Sequence, residues 1–489
     1  MNGVRAAPLS PADLRPRAAE LHAAGGRMQF AYAWFPEGAT PEARYVAAIP
    51  GQREFEMWVV SGHRELPSLA QVLPLLGWYE REMMDLQGLT FTDHPEPYPL
   101  VRRSGDNGRV TGDGLNGFGP ANGRPPLPDI DAADVQHLPF GPIRADVLES
   151  AEFTFLYVGE HILHYHPRLF FKHRGMESCF EGAGPERGAI IAERVSAVGS
   201  VAHALAYCEA VERAAGCEAP PRAKALRVLL AELERLYNHL HYLGHLCHTT
   251  TLKVGEAQGK LLEETAKQLN ARLTGSRFLR GLLTPGGLRR DLDPGKWLGD
   301  ELESLREEFV AYRDRLEVSE SHLDRLITTG VLPERVAFDQ GATGPIERAS
   351  GLDRDLRRDH PYAGYADLPL TIPVLKEGDA YARERVRMAE IEASFALCQR
   401  VLLLLQPGPV RVDCRPAPLA EGLGWSEGPR GSLFYAVHFG ADGRFVRVKI
   451  KSPSFSNWRA FPFTVHDTNM MDYGINEASF GLTIAGCDR

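Results

Sequence analysis

Between Ser104 and Leu138 the chain has almost nothing to bury. The segment GDNGRVTGDGLNGFGPANGRPPLPDID is crowded with Gly, Pro, Asp and Asn. Such a stretch cannot pack a core of its own and reads as a linker. The chain is therefore expected to fold as two parts, residues 1–103 and residues 139–489, joined by 104–138. At 489 residues, with 44% hydrophobic and 24% charged side chains, a sizeable core is available.

The first part reads as α+β from residue 27 onward. Apolar alternation in Arg44–Ile49 and Phe55–Val60 predicts two strands, and Leu69, Val72, Leu76 and Met83 can share one face of a helix over 68–86. The second part is mainly helical. Long helices are predicted over about 185–214, 222–249, 257–274, 298–328 and 380–405, with Pro220-Pro221 separating the first two. Leu226, Leu229, Leu230, Leu233, Leu236, Leu240 and Leu243 recur at helical spacing, the mark of a bundle core. Glu152–Val158 reads as a strand with a turn at Gly159-Glu160, and 432–438 with 444–450 as a hairpin around Gly440–Gly443. The fold class is thus α+β and multidomain. A small N-terminal α/β-type unit precedes a helix-bundle unit with peripheral β hairpins.

The formal net charge of −9 argues against nucleic acid as a partner. No apolar run approaches the roughly 18 residues of a membrane-spanning helix, and the N-terminus lacks the apolar stretch of a secretory signal. A cytoplasmic location is expected, with any membrane association made through partners. Seven scattered cysteines, none in a C-x-x-C pair, predict no disulfide framework but reduced, mostly buried thiols.

Several phrases occur in a fixed order. They are Lys172-His173-Arg174-Gly175-Met176-Glu177, then Glu193-Arg194-Val195-Ser196 through His203, then Glu232-Leu233-Glu234-Arg235-Leu236-Tyr237-Asn238-His239. Gly344-Pro345, Arg348-Ala349-Ser350-Gly351, Asp355-Leu356-Arg357, Pro361-Tyr362 through Tyr365, Gly428-Pro429-Arg430-Gly431 and Asp488-Arg489 follow. This series resembles the large subunits of energy-converting nickel–iron hydrogenases and the D-type large subunit of complex I. Trp78-Tyr79-Glu80-Arg81-Glu82-Met83-Met84-Asp85, with Gly88 and His94-Pro95, resembles the smaller, C-type subunit of the same complex. Fusion of the two in this order resembles the large subunit of formate hydrogenlyase-type hydrogenases.

The resemblance implies four cysteines that grip a nickel–iron centre, in two C-x-x-C pairs. Here those positions are Ser196, Gly199, Thr483 and Gly486. Soft thiolates suit nickel and iron, a hydroxyl is a hard donor, and glycine has no side chain. A working hydrogenase is excluded on this reading, and Cys487 stands one residue out of register. The His and Tyr that contact a quinone headgroup in the D-type subunit of complex I fall at Leu148 and Ala197, so both donors are absent.

By resemblance His173, Glu177, Arg194, His203 and Arg430 line the old active-site region. Glu177 is the candidate for a proton relay. The alternative is that these side chains brace helices and loops through ion pairs and hydrogen bonds. His241, His245 and His248 share a helical face. A substitute metal site there competes with the ordinary reading of packed or solvated histidines.

The resemblance implies a subunit of a membrane-associated, ion-translocating oxidoreductase complex, peripheral on the cytoplasmic side of the inner membrane. Its implied partners are a complex I-like small subunit holding an iron–sulfur (Fe-S) cluster, a ferredoxin-like subunit and antiporter-like membrane subunits. No cofactor is expected in this chain. Two alternatives stay open, a non-catalytic scaffold or coupling subunit and a divergent quinone- or NADH-linked subunit.

Overall fold

The computed structural model describes residues 3–36, 38–101, 127–130, 134–144 and 149–489. Most of the expected linker, 104–126 and 131–133, and the predicted quinone position Leu148 lie outside the described residues.

The N-terminal sheet comprises β1 (Val4–Pro8), β2 (Arg27–Trp34), β3 (Glu42–Ala48) and β4 (Phe55–Ser61), in the order β1-β4-β3-β2. β1 runs parallel to β4 because α1 (Pro11–Ala23) carries the chain across from β1 to β2; the other pairs are antiparallel. β1, α1 and β2 carry no signal that the sequence reading used. The helix expected over 68–86 is shorter. A 3₁₀ turn at Pro74–Leu76 leads into α2 (Gly77–Gln87), since Pro74 has no N–H to donate to a preceding turn.

β2 is buried almost throughout, so it does not alternate. Its sheet is sandwiched between α2 and a second sheet, whose strands are given below. Phe30 stands 5.5 Å from Phe434, and Phe55 packs against Phe434 and Trp425. Trp34 stacks on His438 at 4.2 Å. These aromatic pairs join the two halves of the chain.

A four-stranded sheet opens the second half: β5 (Gln136–Phe140), β6 (Glu152–Val158), β7 (His161–Arg168) and, from much later in the chain, β11 (Thr468–Asn469). The expected helix over 185–214 is two helices, α3 (Pro185–Ala192) and α4 (Ser200–Ala215), separated by a turn at 193–199 that ends in a 3₁₀ turn at Ala197–Gly199. α5 (Pro221–Thr249) and α6 (Lys253–Thr274) match their predicted spans closely. The predicted 298–328 helix stops as α7 (Gly295–Leu316), and a separate short helix follows at Glu320–Leu326. α8 (Ala380–Leu404) is as expected.

α5 is the central column, touching α4, α6 and α8, and its seven stripe leucines are all buried. It also buries Glu232, Glu234, Arg235, Asn238 and His239, so no face of its middle meets water.

The predicted hairpin gains a third strand. β8 (Glu421–Gly428), β9 (Gly431–Phe439) and β10 (Phe445–Lys451) form an antiparallel meander. β8 lies on α4 through Gly422 and Gly424; a Cβ on Gly424 would come within 2.1 Å of the Ala206 carbonyl oxygen. The chain ends in α9 (Pro453–Ala460), α10 (Tyr473–Phe480) and α11 (Ile484–Asp488).

Cys217 and Cys414 form a disulfide across 197 residues, against the expectation of free thiols, and Cys179 is exposed. Spacing along the chain carries no sign of the pair, because only the tertiary path brings the α4–α5 connection beside the segment after α8. Among the described residues no single helix is long and apolar enough to cross a membrane; α3 and α4 pass together only, and they meet at 114°.

Candidate functional site

The turn between α3 and α4 and the segment between α10 and α11 converge on one small pocket. Ser196, Gly199, His203, Arg430, Thr483 and Gly486 line it, together with residues of the β8–β9 turn and Ser452–Ser454. All four positions where the resemblance puts metal ligands therefore meet in space. A Cβ at position 486 would stand 2.5 Å from Thr483 Oγ1 and 3.6 Å from Ser196 Oγ. The pocket volume is about 20 Å³, room for about one water molecule.

Buried side chains of α5 hold the first wall. The Glu234 carboxylate accepts the N–H groups of Val201 (2.7 Å) and Ala202 (2.9 Å), capping the free donors at the start of α4. Burial pushes Glu234 up to about 7 against these bonds. Asn238 donates to the Val198 carbonyl at 2.8 Å and accepts from Arg430 Nη1 at 2.7 Å, while Arg430 Nε donates to the Gly481 carbonyl at 2.7 Å. One amide thus ties the α4 turn, the β8–β9 turn and the tail together. Burial, then the nearby Arg387, bring the Arg430 guanidinium down to about 10.

The tail is fastened similarly. Glu149 accepts the N–H groups of Ile484 and, at 3.0 Å, Ala485. Thr483 Oγ1 caps α11 through the Gly486 N–H at 3.2 Å and lies 3.2 Å from Ser454 Oγ. The Thr483 hydroxyl, at a position where the resemblance puts a thiolate, is therefore engaged in the fold. The E-L-E-R-x-x-N-H phrase was visible in the sequence, yet the roles of Glu234 and Asn238 were missed, as were Glu149 and Ser454.

The predicted cavity residues divide. His203 is buried in the pocket wall with Nδ1 2.8 Å from the Tyr435 hydroxyl, and burial depresses its pKa to about 3, so the imidazole is neutral. Arg194 is exposed and bonds the Ile190 carbonyl at 2.6 Å; it leaves the pocket because α3 ends at the preceding turn. His173 and Glu177 border a separate cavity of about 380 Å³ between the two halves of the chain. His173 is exposed, its Nδ1 2.7 Å from the Asp488 carbonyl. Glu177 meets Arg447 and Lys449 at 3.1 Å and Arg489 at 3.3 Å. Burial alone would raise its pKa, but these three cations hold it at about 2. It is an ionised anchor rather than a group poised between two states.

Ala197 is exposed, its carbonyl taken by Arg280 at 3.2 Å, and it does not line the pocket. Cys487 is buried outside the pocket, with its thiol pushed well up by burial.

His241, His245 and His248 do share a face, but their rings stack in parallel at 6.1 and 6.2 Å instead of converging. His241 and His248 are taken by Glu263 (3.0 Å) and Glu256 (3.1 Å). Among the described residues no group of three or more His, Cys, Asp or Glu side chains could hold a metal ion.

Three family models match the chain in the order of its parts. Residues 42–108 match the 30 Kd subunit of respiratory-chain NADH dehydrogenase, and 174–274 match nickel-dependent hydrogenase. Residues 262–422 and 413–489 match the 49 Kd subunit of the dehydrogenase. Formate hydrogenlyase subunit 5 of Escherichia coli is 30% identical over 444 residues, covering 83% of this chain and 74% of that protein. NADH-quinone oxidoreductase subunit 4 of Thermus thermophilus is 31% identical over 368 residues, covering 68% of this chain and 88% of the relative.

The solved structure of an archaeal respiratory membrane complex, the membrane-bound sulfane sulfur reductase, contains a similar chain. Its TM-score is 0.69 at 27% identity, with 73% of this chain and 99% of that one covered. The fold and its buried pocket thus define a large subunit of the respiratory-complex type, with a unit like the smaller dehydrogenase subunit fused ahead of it. The chain belongs to the family that unites the 49 Kd subunits of respiratory NADH dehydrogenases with the large subunits of formate hydrogenlyase-type hydrogenases.

Proposed function

We propose that this chain is the large subunit of a membrane-associated, ion-translocating oxidoreductase complex that works without a nickel–iron centre. One observation carries the reading. The four ligand positions meet, and they offer two hydroxyls and two glycines around a space of about 20 Å³. These residues do not fit the group that the family implies, because hard hydroxyls stand in two of the thiolate positions and glycine leaves the other two with no side-chain donor. Thr483 Oγ1 is moreover already engaged as a helix cap.

Residues 1–103 and 139–489 act as the C-type and D-type modules of a complex I-like assembly, joined by 104–138. The chain sits peripherally on the cytoplasmic side of the inner membrane, held there by its partners. Those partners are a small subunit with an iron–sulfur cluster, a ferredoxin-like subunit and antiporter-like membrane subunits. A second reading, a coupling subunit with no redox chemistry at this pocket, is favoured by the pocket's volume, too small for a quinone headgroup. A quinone-linked role would need space elsewhere, since Ala197 faces away.

The test is purification of the native complex, with its subunits identified by mass spectrometry and its metals measured. Iron from a partner subunit and no nickel are expected. Stoichiometric nickel would overturn the assignment of Ser196, Gly199, Thr483 and Gly486.

A further inference from the structure

A second cavity between the two halves, of about 340 Å³, lies between the β3–β4 turn and the ends of β2 and β8. Glu427 at the end of β8 lines it, although the residue is only 3% exposed. Behind Glu427 lies a buried ionic cluster. Arg235 binds Glu232 (3.2 Å) and Glu390 (3.3 Å), and Arg357 binds Glu232 (3.1 Å) and Asp355 (2.8 Å). Arg348 binds Glu390 (2.6 Å), Asp355 (3.3 Å) and Glu427 (3.3 Å).

Three guanidiniums thus make direct contacts with four carboxylates in a place where uncompensated charge is costly, and Arg387, bonded to the Ser479 and Phe480 carbonyls, adds its charge from beside Glu390. Glu232, Asp355 and Glu390 each have a bond of 3.1 Å or shorter within the cluster. Glu427 has only contacts at 3.3 Å from Arg348 and 3.4 Å from the Leu356 N–H. The neighbouring cations are committed elsewhere. Arg27 binds Glu347 at 2.7 Å, Arg354 binds the Gly25 carbonyl at 3.0 Å, and Lys451 donates to the Ser432 hydroxyl and carbonyl. Burial and the neighbouring Arg27 press the Lys451 pKa well down, against the pull of Glu427 and Glu347.

We propose that Glu427 is a proton-binding site filled from the cavity between the two halves of the chain. A hydronium ion there gives its proton to a Glu427 carboxylate oxygen and leaves as water, which removes the charge of the most weakly bonded carboxylate in the cluster. Burial first, then Asp355 and, less, Glu347 push this carboxyl up to about 7 against the pull of Arg348 and Arg357. His239 touches the same cluster through Glu390 at 2.8 Å. A proton on His239 would add positive charge to the same cluster, so protons on the two groups disfavour each other. Glu427 thereby links the charge carried on α5 to proton exchange at the surface between the modules. The inference is independent of what the small pocket holds.

Infrared titration of the full-length chain in H₂O and D₂O tests it. The wild type should show a protonated-carboxyl carbonyl band that shifts in D₂O and fades as pH rises through neutrality. Glu427→Gln should lose one titrating component and release about one proton fewer across that range. Glu80, Glu234 and Asp488, also raised to about 7, remain in both proteins and cancel in the difference. Identical titrations of variant and wild type would overturn the proposal. Should Glu427→Gln fail to fold, Ala48→Phe fills the cavity wall and leaves the carboxyl in place. Deuterium exchange of the band should then slow at least tenfold, and an unchanged exchange rate would equally refute the cavity route.

Discussion

At the scale of single residues, His203 carries the side chain most often used for proton chemistry at neutral pH. Its imidazole is nevertheless enclosed beside Tyr435 and held neutral down to about pH 3. In the unfolded chain the same group takes up a proton below about pH 6.5. The stability contributed by its neutral burial is therefore full above that pH and falls as pH drops from there toward 3. His203→Asn should shed this part of the acid sensitivity; urea midpoints measured across that window should fall less steeply than in the wild type, and equal slopes would contradict it. Glu177 teaches the complementary lesson. Its residue type and motif suggested a relay, but the pairing with Arg447, Lys449 and Arg489 comes from β10 and the tail, which no local pattern places beside it.

At the scale of elements, periodicity located α5, α6 and α8 well, because a stripe of leucines on one face is a property of the local sequence. It failed where a helix is interrupted for the sake of the pocket. The α3–α4 break leaves the hydrophobic spacing almost unchanged, and the signal for it is Glu234, more than thirty positions later, capping the new helix start. β8 was missed because Gly422 and Gly424 weaken a strand's signature, yet they are what lets the strand lie on α4. Gly424→Ala would drive a methyl against the backbone of Ala206 and Ala210. Overpacking of this kind costs about 1–3 kcal/mol. Denaturant unfolding should show a lower midpoint at unchanged slope; a variant as stable as the wild type would mean that β8 can move off the helix.

At the scale of the whole molecule, the two halves are joined by buried charges as well as by stacked aromatics. Glu82 on α2 receives Lys449 at 2.6 Å and Arg489 at 2.8 Å, all three nearly inaccessible. Glu82→Ala would leave Lys449 and Arg489 to share Glu177, and breaking a buried pair costs roughly 3–5 kcal/mol. Hydrogen exchange should then quicken in β2 and β10 together; loss of protection in only one of them would show that the halves are held by the aromatic contacts alone. The sequence by itself determined the bundle helices, the family, and the residue types at the four positions where the resemblance puts ligands. All of these depend on composition, short-range period or an ordered series of motifs. Tertiary structure alone decided that Ser196, Gly199, Thr483 and Gly486 meet, that the space between them is so small, and that Arg194 turns away. It also decided that Glu427 is the most weakly bonded carboxylate of its cluster. Those facts depend on distances between segments hundreds of residues apart, and side-chain chemistry does not encode such distances until the chain has packed.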